Sequence, residues 1–395
     1  MKTKTVNKDS SPMRRRVSVA WLNLMHERTR LLVAIAGVAF AVLLIFMNLG
    51  FLGALTTTTI NFYEQFNADI FLSSPETLEV STTTVFPRER LYQAEGITGV
   101  RRAMPLYSGY VLWRNPEPPN ESKAMFAWAY NLDDPVFLMP ELQGPEAKQA
   151  LQQPNVVFFD RLSRPEYGPS DIGTVTEADR RQVTIGGNYS LGGGFAADGT
   201  IIMSDQNFAR YLSPRPLSTV DTGLIQLEPG ANPERVKRAL EAALPADVDV
   251  FTKAGIMRRD QTFWISSTSI GFIFGLGVLV SFVVGIVIVY QILYTDIRDH
   301  LPEYATMKAM GYRNRYLFQI VLKEALLLAA MGYVPGFIIS LGLYELTLNA
   351  TAGGLPVAMN FRRMVFVLLL TIGMCSVSGL ISVRKALSTD PAEVF

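Results

Sequence analysis

The chain of 395 residues carries 36 Lys and Arg against 35 Asp and Glu, which leaves a formal net charge of +1. This balance excludes a nucleic-acid binder that works through bulk positive charge, and it excludes an acidic disordered chain. One cysteine excludes an internal disulfide framework, and two histidines leave no histidine-rich metal site. Because 49% of the residues are hydrophobic, we expect a membrane protein if these residues are clustered.

Apolar residues are concentrated in four windows without charge. The windows predict membrane spans at 31–55, 265–290, 325–344 and 364–383. About 20 helical residues cross the roughly 30 Å hydrocarbon core of a bilayer. A charge at mid-span costs about 2.5–3.5 kcal/mol on insertion scales, so four charge-free windows are hard to explain as a soluble core. The first window exceeds the apolar run of about 7–15 residues in a signal peptide and is interpreted as an uncleaved anchor.

Flanking charge predicts the orientation in the cell inner membrane. Residues 1–30 contain eight Lys and Arg against Asp9 and Glu27. The positive-inside rule therefore places the N-terminus in the cytoplasm, and four spans return the tail at 384–395 to the same side.

The remaining long segment then lies outside. Residues 56–264 are predicted to form a periplasmic domain, and residues 345–363 a short periplasmic loop. Arg362 and Arg363, at the outer end of the fourth span, run against the rule, but the N-terminal cluster outweighs them.

The external segment has the pattern of an α+β domain. A helix is predicted at 87–95, and another opens at the N-cap Asn232, with proline at the first helical position, and runs to Leu244. Each helix precedes a possible strand, which suggests two α-β halves around a β-rich insertion at about 115–220. Strands are predicted at 107–113, 124–130, 156–159, 181–185, 200–203 and 223–227. The predicted fold class is an α-helical membrane protein with four transmembrane helices and a large external α+β domain between helices one and two.

No pattern in the chain indicates catalysis. The glycines at 186–187 and 192–194 lack the preceding strand and following helix of a phosphate-binding loop and indicate flexible loops. Asp133 and Asp134 next to a proline are typical of a solvated turn. We predict no catalytic, cofactor or metal site and no enzyme activity of this chain. Because the sequence contains no G-x-x-x-x-G-K-S/T, energy must come from a partner.

Two cytoplasmic elements stand out. In residues 1–30, one helical stripe carries apolar side chains, which predicts an amphipathic helix on the membrane surface; a frayed, charged end is the alternative. This stripe consists of Met13, Val17, Ala20, Trp21 and Leu24. In the loop at 291–324, a helix is predicted at 302–311, breaking at Gly311; a solvated connector is the alternative.

The loop carries a recognisable pattern. The run Glu303-Tyr-Ala-Thr-Met-Lys-Ala-Met-Gly-Tyr312 resembles the E-x-x-T/V-M/L-K/R-A-M/L-G pattern of FtsX/MacB-type ABC transporter permeases. The run that begins at Gln319 resembles the start of their third helix, and the run from Arg384 to Glu393 resembles their C-terminal R-x-A-x-x-x-D-P-A-E. Within the family, the Ala20-Trp-Leu-Asn-Leu start and the lack of a fused ATPase look most like the cyanobacterial DevC exporter permeases.

The resemblance implies roles for particular residues. A coupling helix would seat in a cleft of the ATPase through Glu303, Thr306, Met307, Lys308, Ala309 and Gly311. A C-terminal motif would lie near the same interface and consists of Asp390, Pro391, Ala392 and Glu393. Leu301 and Pro302 depart from the basic residues of many relatives, which leaves the start of the helix open.

The resemblance also implies partners. They are a DevA-like ABC ATPase subunit that holds ATP and Mg²⁺, a second copy of this chain, a DevB-like membrane-fusion protein, a TolC-like outer-membrane channel and membrane lipid, with no nucleic acid. This chain itself would bind no cofactor. The implied function is a mechanotransmission permease that exports a lipid-like substrate, with a glycolipid suspected.

Small residues predict close helix packing. The second span contains two pairs of small residues at the four-residue spacing typical of close helix packing, Gly271 with Gly275 and Ser281 with Gly285. The first span contains one such pair, Gly37 with Ala41. The alternative is that these small residues face lipid. Asn48 is expected to hydrogen-bond between helices. A kink is expected in the third span at Gly332, Pro335 and Gly336.

Two other functions compete with the permease. A membrane-anchored receptor or adaptor, whose external domain binds a ligand or partner, fits the helix count but gives the 303–311 pattern no role. A membrane enzyme lacks a constellation of catalytic groups. The spans carry no charge at mid-depth, which disfavours an ion-coupled transporter.

Overall fold

The computed structural model describes residues 28–192, 197–211, 215–351 and 355–387. The predicted surface helix and the C-terminal motif at 390–393 lie outside the described residues. The chain divides into two compact units. A helical unit comprises the described residues up to 46, residues 277–341 and those from 360 onward, and a domain unit comprises residues 47–276 and 342–359.

Among the described residues, four helices are long and apolar enough to cross a membrane. The first membrane helix is Arg28–Glu64, the second Ser269–Asp299, the third Asn314–Ala350 and the fourth Phe361–Leu387. Each is longer than the apolar window that predicted it, because backbone hydrogen bonding continues where the side chains become polar.

The second membrane helix starts later than the predicted residue 265. Phe263–Ser267 form a single π-helical turn, and Thr268 is extended, with φ −105° and ψ 152°. The Thr268 hydroxyl oxygen accepts a hydrogen bond from the N–H of Gly271 at 3.4 Å, as at a helix N-cap. The prediction followed the absence of charge, so the hydroxyl residues at 266–269 did not interrupt it.

The domain unit contains the strands and six short α-helices of the described chain. The helices are α1 Glu89–Glu95, α2 Pro140–Gln143, α3 Pro145–Gln152, α4 Asp205–Tyr211, α5 Pro233–Ala243 and α6 Lys253–Thr262. The strands are β1 Ile70–Ser73, β2 Phe86–Pro87, β3 Val100–Arg114, β4 Ser122–Tyr130, β5 Val156–Asp160, β6 Val175–Ala178, β7 Arg181–Tyr189, β8 Thr200–Ser204, β9 Thr219–Val220, β10 Thr222–Leu227 and β11 Asp249–Thr252. The six predicted strands and the helix that opens at Asn232 are confirmed. The helix predicted at 87–95 is also present but begins at Glu89, because Pro87 belongs to β2.

Nine of these strands form one sheet, in the order β11-β1-β10-β3-β4-β8-β5-β7-β6, while β2 and β9 pair separately. Strand β10 is antiparallel to β1 and β3, and β4 is parallel to β8. The β-rich region at 115–220 therefore continues the same sheet beyond β3. The α+β class predicted from the sequence is confirmed.

Both faces of the sheet are covered, because side chains alternate along its strands. On β4, Met125 and Ala127 join one core, whereas Phe126 and Trp128 join the other. Helices α1 and α5 pack on the first face through buried leucines, such as Leu91.

The helical unit also contains a short helix between the second and third membrane helices. This helix, α7, runs Leu301–Ala309. It begins one residue before the predicted segment 302–311, and residues 310–311 form its C-terminal cap.

Candidate functional site

Helix α7 has a defined end. Gly311 has a φ of +91°, and the N–H of Tyr312 donates to the carbonyl of Met307 at 3.1 Å, which is a Schellman cap. Glycine suits this position because it has no Cβ to collide with the backbone. At the other end, Pro302 lies in the first turn, where its missing N–H costs no hydrogen bond. These residues therefore fold into a capped helix.

The Met307 side chain joins α7 to the membrane helices. Met307 packs against a buried cluster of Ile297, Val321 and Val383. These three residues lie near those ends of the second, third and fourth membrane helices that are predicted to face the cytoplasm. A displacement of α7 therefore bears directly on three helix ends.

Other side chains of α7 and its cap are open to solvent. The side chain of Glu303 is 65% exposed and lies 3.5 Å from His300, and Met310 is also 65% exposed. Thr306 is exposed too, and its hydroxyl donates to the Pro302 carbonyl at 2.9 Å within the helix. Lys308 and Ala309 lie on the same helix. The exposed carboxylate of Glu303 and the exposed side chain of Met310 suit a protein contact.

An ion pair joins the first and second membrane helices next to α7. Arg30 lies 2.6 Å from Asp299 and 4.0 Å from Asp296. Sequence reasoning used Arg30 only to set topology, because a pair of residues this far apart in the chain leaves no local pattern. Partly exposed, the pair contributes at most about 1 kcal/mol and fixes geometry more than stability.

Two of the predicted packing glycines lie where the membrane helices touch. A Cβ on Gly37 would come 2.6 Å from a methyl carbon of Ile288, and one on Gly285 would come 3.0 Å from Cβ of Ala41. Gly285 also faces the sulfur of Met374 in the fourth membrane helix. Glycine at these positions allows the helices to approach this closely.

The other predicted packing residues have different surroundings. No described atom lies within 4 Å of a Cβ placed on Gly275, and Gly271 faces the nearby carbonyl of Ile265. Ser281 donates to the Gly277 carbonyl of its own helix at 2.7 Å. Asn48 is half-buried.

The third membrane helix contributes contacts that sequence reasoning missed. A Cβ on Gly336 would come 2.7 Å from the Ala39 carbonyl oxygen and 2.9 Å from Val42, and Gly332 similarly faces Val38. The helix continues through Pro335. The four-residue spacing of these glycines, interpreted as part of a kink, is the signal that could have identified the contact.

Serines of the fourth membrane helix bond to the second. The hydroxyl oxygens of Ser378 and Ser382 lie 2.8 and 3.3 Å from the carbonyl oxygens of Ile286 and Tyr290, and each hydroxyl shares its proton with a carbonyl of its own helix at 2.8 Å. Hydrogen bonds of this kind average about 0.6 kcal/mol in membrane proteins. The second membrane helix is thus bonded to the fourth and closely packed on the first.

A groove of about 740 Å³ opens on the domain unit beside the Asp133-Asp134 turn. Lys148 lies 2.6 Å from Asp133, and Arg102 lies 3.5 Å from Asp134. The Lys148 hydrogen bond lowers the pKa of Asp133, whereas burial raises the pKa of Asp134. The cations and carboxylates thus neutralise each other. Among the described residues, no group of three or more His, Cys, Asp and Glu is placed to hold a metal ion.

Two buried carboxylates fix loops of the domain unit. Asp160 accepts hydrogen bonds from three backbone N–H groups and from the Thr200 hydroxyl. Asp221 accepts from the N–H of Ser108 at 2.8 Å and forms an ion pair with Arg215. Both carboxylates therefore have structural partners.

Comparison with known proteins gives two family matches. The family described as MacB-like periplasmic core domain matches residues 31–243, which is more than half of the chain. The family described as FtsX-like permease C-terminal matches residues 275–391, which include α7. No curated protein matches the chain.

Among solved structures, the chain is similar to the periplasmic region of MacB from Actinobacillus actinomycetemcomitans, with 9% identity and a TM-score of 0.35, covering 49% of this chain and 92% of that one. It is also similar to the extracellular domain of the noncanonic ABC-type transporter YknZ from Gram-positive bacteria, with 13% identity and a TM-score of 0.33. The match covers 47% of this chain and 100% of that one. A domain of a putative permease from Porphyromonas gingivalis has 16% identity and a TM-score of 0.29. The match covers 46% of this chain and 86% of that one. From the two family matches, the chain belongs to the FtsX-like permeases that carry a MacB-like periplasmic core domain.

Proposed function

We propose that this chain is the permease subunit of an ATP-driven exporter in which a separate ABC ATPase, holding ATP and Mg²⁺, drives the external domain through the membrane helices. The observation that carries the proposal is the placement of α7. The side chains of Glu303 and Met310 are exposed, while Met307 packs on the ends of three membrane helices. The chain has no P-loop of its own.

The proposed stroke enters through α7 in its cytoplasmic position. ATP binding would close two ATPase subunits and draw together the α7 helices of two copies of this chain. Contacts of Gly37 with Ile288 and of Gly285 with Ala41 would make the first and second membrane helices move together at this level. A stroke of this kind requires a shift of packed helices and not a polar channel.

The finer assignment rests on the resemblance to DevC-type permeases. In the proposed complex, the ATPase is DevA-like, the external domain contacts a DevB-like membrane-fusion protein, and a TolC-like channel continues the path through the outer membrane. The substrate class that we propose is a lipid, with a glycolipid as the first candidate. This assignment also places both termini in the cytoplasm and the domain in the periplasm.

The test is capture of the tagged full-length chain from native membranes, with identification of bound proteins and lipids. We expect an ABC ATPase in the wild-type sample. Glu303→Lys should remove the ATPase by reversing the charge of the exposed face, whereas Glu141→Lys, an equivalent change at an exposed glutamate of the domain unit, should retain it. Wild-type capture without an ATPase, together with a bound ligand or signalling protein, would favour the receptor or adaptor.

A further inference from the structure

The two chain segments that connect the domain unit to the membrane helices meet at a buried carboxylate. The Tyr63 hydroxyl, near the end of the first membrane helix, donates to Asp260 Oδ2 at 2.5 Å. Asp260 belongs to α6, which precedes the second membrane helix. The backbone N–H of Val80 donates to the same oxygen at 3.1 Å. Asp260 is fully buried and Tyr63 is 2% exposed.

Arg259 extends this contact into the sheet. Its Nε donates to Asp260 Oδ1 at 2.8 Å, and a terminal nitrogen donates to Ser73 Oγ at 3.0 Å. Its guanidinium group lies 4.9 Å from the ring centre of Phe251. The contact, which we call the clasp (Tyr63, Ser73, Val80, Arg259 and Asp260), thus ties the first membrane helix and α6 to β1 and β11.

The clasp has the features of a firm connection. Burial raises the pKa of Asp260, while Arg259 favours the charged form. Removal of one partner from a buried charge pair is costly, because the remaining charge is left without compensation. The other titratable group that faces the carboxylate is Glu79, whose own oxygens accept hydrogen bonds from Ser81 and Thr82.

The two connections differ in continuity. The first membrane helix is unbroken from Arg28 to Glu64, which includes Tyr63. Between α6 and the second membrane helix, the chain passes through the π-helical turn Phe263–Ser267 and the extended Thr268. Gly271 lacks the Cβ that would collide with the carbonyl of Ile265, so a tight bend forms there.

We propose that Tyr63 and Asp260 are positioning residues that fasten the external domain to the first membrane helix, so that this helix carries the stroke. The second connection is interrupted at 263–268, so it transmits the stroke less directly than the first. This inference rests on the proposed function, since the stroke is supplied by the partner ATPase.

The first test needs no partner. Hydrogen–deuterium exchange is measured on the full-length chain in lipid nanodiscs. Tyr63→Phe removes one hydrogen bond to a charged group and should speed exchange at the Val80 amide and across α6 by at least about tenfold. Tyr92→Phe, at a tyrosine that is 63% exposed, is the matched control and should change nothing there. Unchanged exchange in Tyr63→Phe would overturn the clasp.

A second variant tests the same bond from its acceptor side. Asp260→Asn keeps the shape and one acceptor oxygen, and it should produce the same local acceleration. Tyr63 and Asp260 act on one bond, so the double variant should exchange no more than about threefold faster than the more severe single variant. Independent, multiplying effects of the two changes would contradict a shared bond.

The second test separates positioning from stability. Cys375, the single cysteine, is replaced by alanine, and a spin label is attached at Ile172→Cys, a side chain that is 68% exposed on the domain unit. In the complex with the co-captured ATPase, the label-to-label distance between two copies is measured with and without ATP. Tyr63→Phe should reduce the ATP-driven change at least about twofold, while ATP hydrolysis stays within about twofold of wild type.

The outcomes distinguish the two proposals. A full ATP-driven change in Tyr63→Phe, despite faster exchange, would make the clasp a stabilising contact only and overturn the positioning role. An absent ATP-driven change in the otherwise wild-type labelled chain would overturn the proposed function and this inference with it. Faster exchange with a reduced change supports both.

Discussion

Substitution of Gly311 by alanine tests whether the cap of α7 matters for coupling. Gly311 has a φ of +91°, and no described atom lies within 4 Å of the position that a Cβ would take. The cost therefore comes from the local backbone conformation and not from a clash with a residue packed nearby. A left-handed backbone costs an L-residue about 1–2 kcal/mol, which corresponds to a factor of about 5–30 in the population of the uncapped end.

The consequence follows from the contacts of the last turn. Loss of the cap frees the N–H of Tyr312, whose acceptor is the carbonyl of Met307, the same residue that anchors α7 on the helix ends. We expect Gly311→Ala to insert normally but to transmit the stroke poorly. ATP hydrolysis by the assembled complex should continue, while export per ATP should fall by up to about the same factor of 5–30.

The assay combines two measurements on the full-length chain. Hydrogen–deuterium exchange at the Tyr312 amide should accelerate about 5- to 30-fold. Gly230→Ala is the matched control, since Gly230 has a φ of +85° and similar open space but lies in the domain unit. Gly144→Ala, at a φ of −76°, introduces no strain. Normal export per ATP in Gly311→Ala, together with accelerated exchange, would refute the role of the cap in coupling.

Three further outcomes are expected. Gly285→Leu should lower the unfolding temperature of the detergent-solubilised chain, since overpacking costs about 1–3 kcal/mol. Gly373→Ala should leave that temperature unchanged, because no described atom lies within 4 Å of a Cβ at this position. Equal shifts in the two variants would contradict the packing. In urea unfolding, Arg215→Ala should lower the free energy of unfolding by about 3–5 kcal/mol, because it leaves the buried carboxylate of Asp221 without its partner. Arg164→Ala removes an exposed ion pair at 2.7 Å and should cost about 0–1 kcal/mol. Similar losses in the two variants would contradict this difference. Burial raises the pKa of Asp160, so the folded chain holds the carboxyl proton more tightly than the unfolded chain. The stability of the wild type relative to Asp160→Asn should therefore be highest below about pH 4 and fall as pH rises through the folded pKa. An increase of this relative stability with pH, measured by urea unfolding, would contradict the sign.

Some features of this protein follow from local sequence. Charge-free windows of about 20 residues identify membrane helices because a buried charge is costly in hydrocarbon. Alternation identified the strands that include 124–130, and Asn232 with its following proline identified α5, because both signals depend on neighbours in the chain. Gly311 similarly marked the end of α7 through the conformation that the cap requires.

Pairings between distant residues were decided only by the tertiary structure. Arg30 with Asp299, Tyr63 with Asp260, and Gly336 with Ala39 join segments far apart in the chain, and each partner has many equivalent candidates in the sequence. The interruption at Thr268 was also missed, because the span was predicted from the absence of charge, and the hydroxyl residues at 266–269 carry none. Composition therefore determined which segments enter the membrane, whereas folding determined which helices touch and where the path between domain and membrane is interrupted, since such contacts depend on shape and distance in three dimensions.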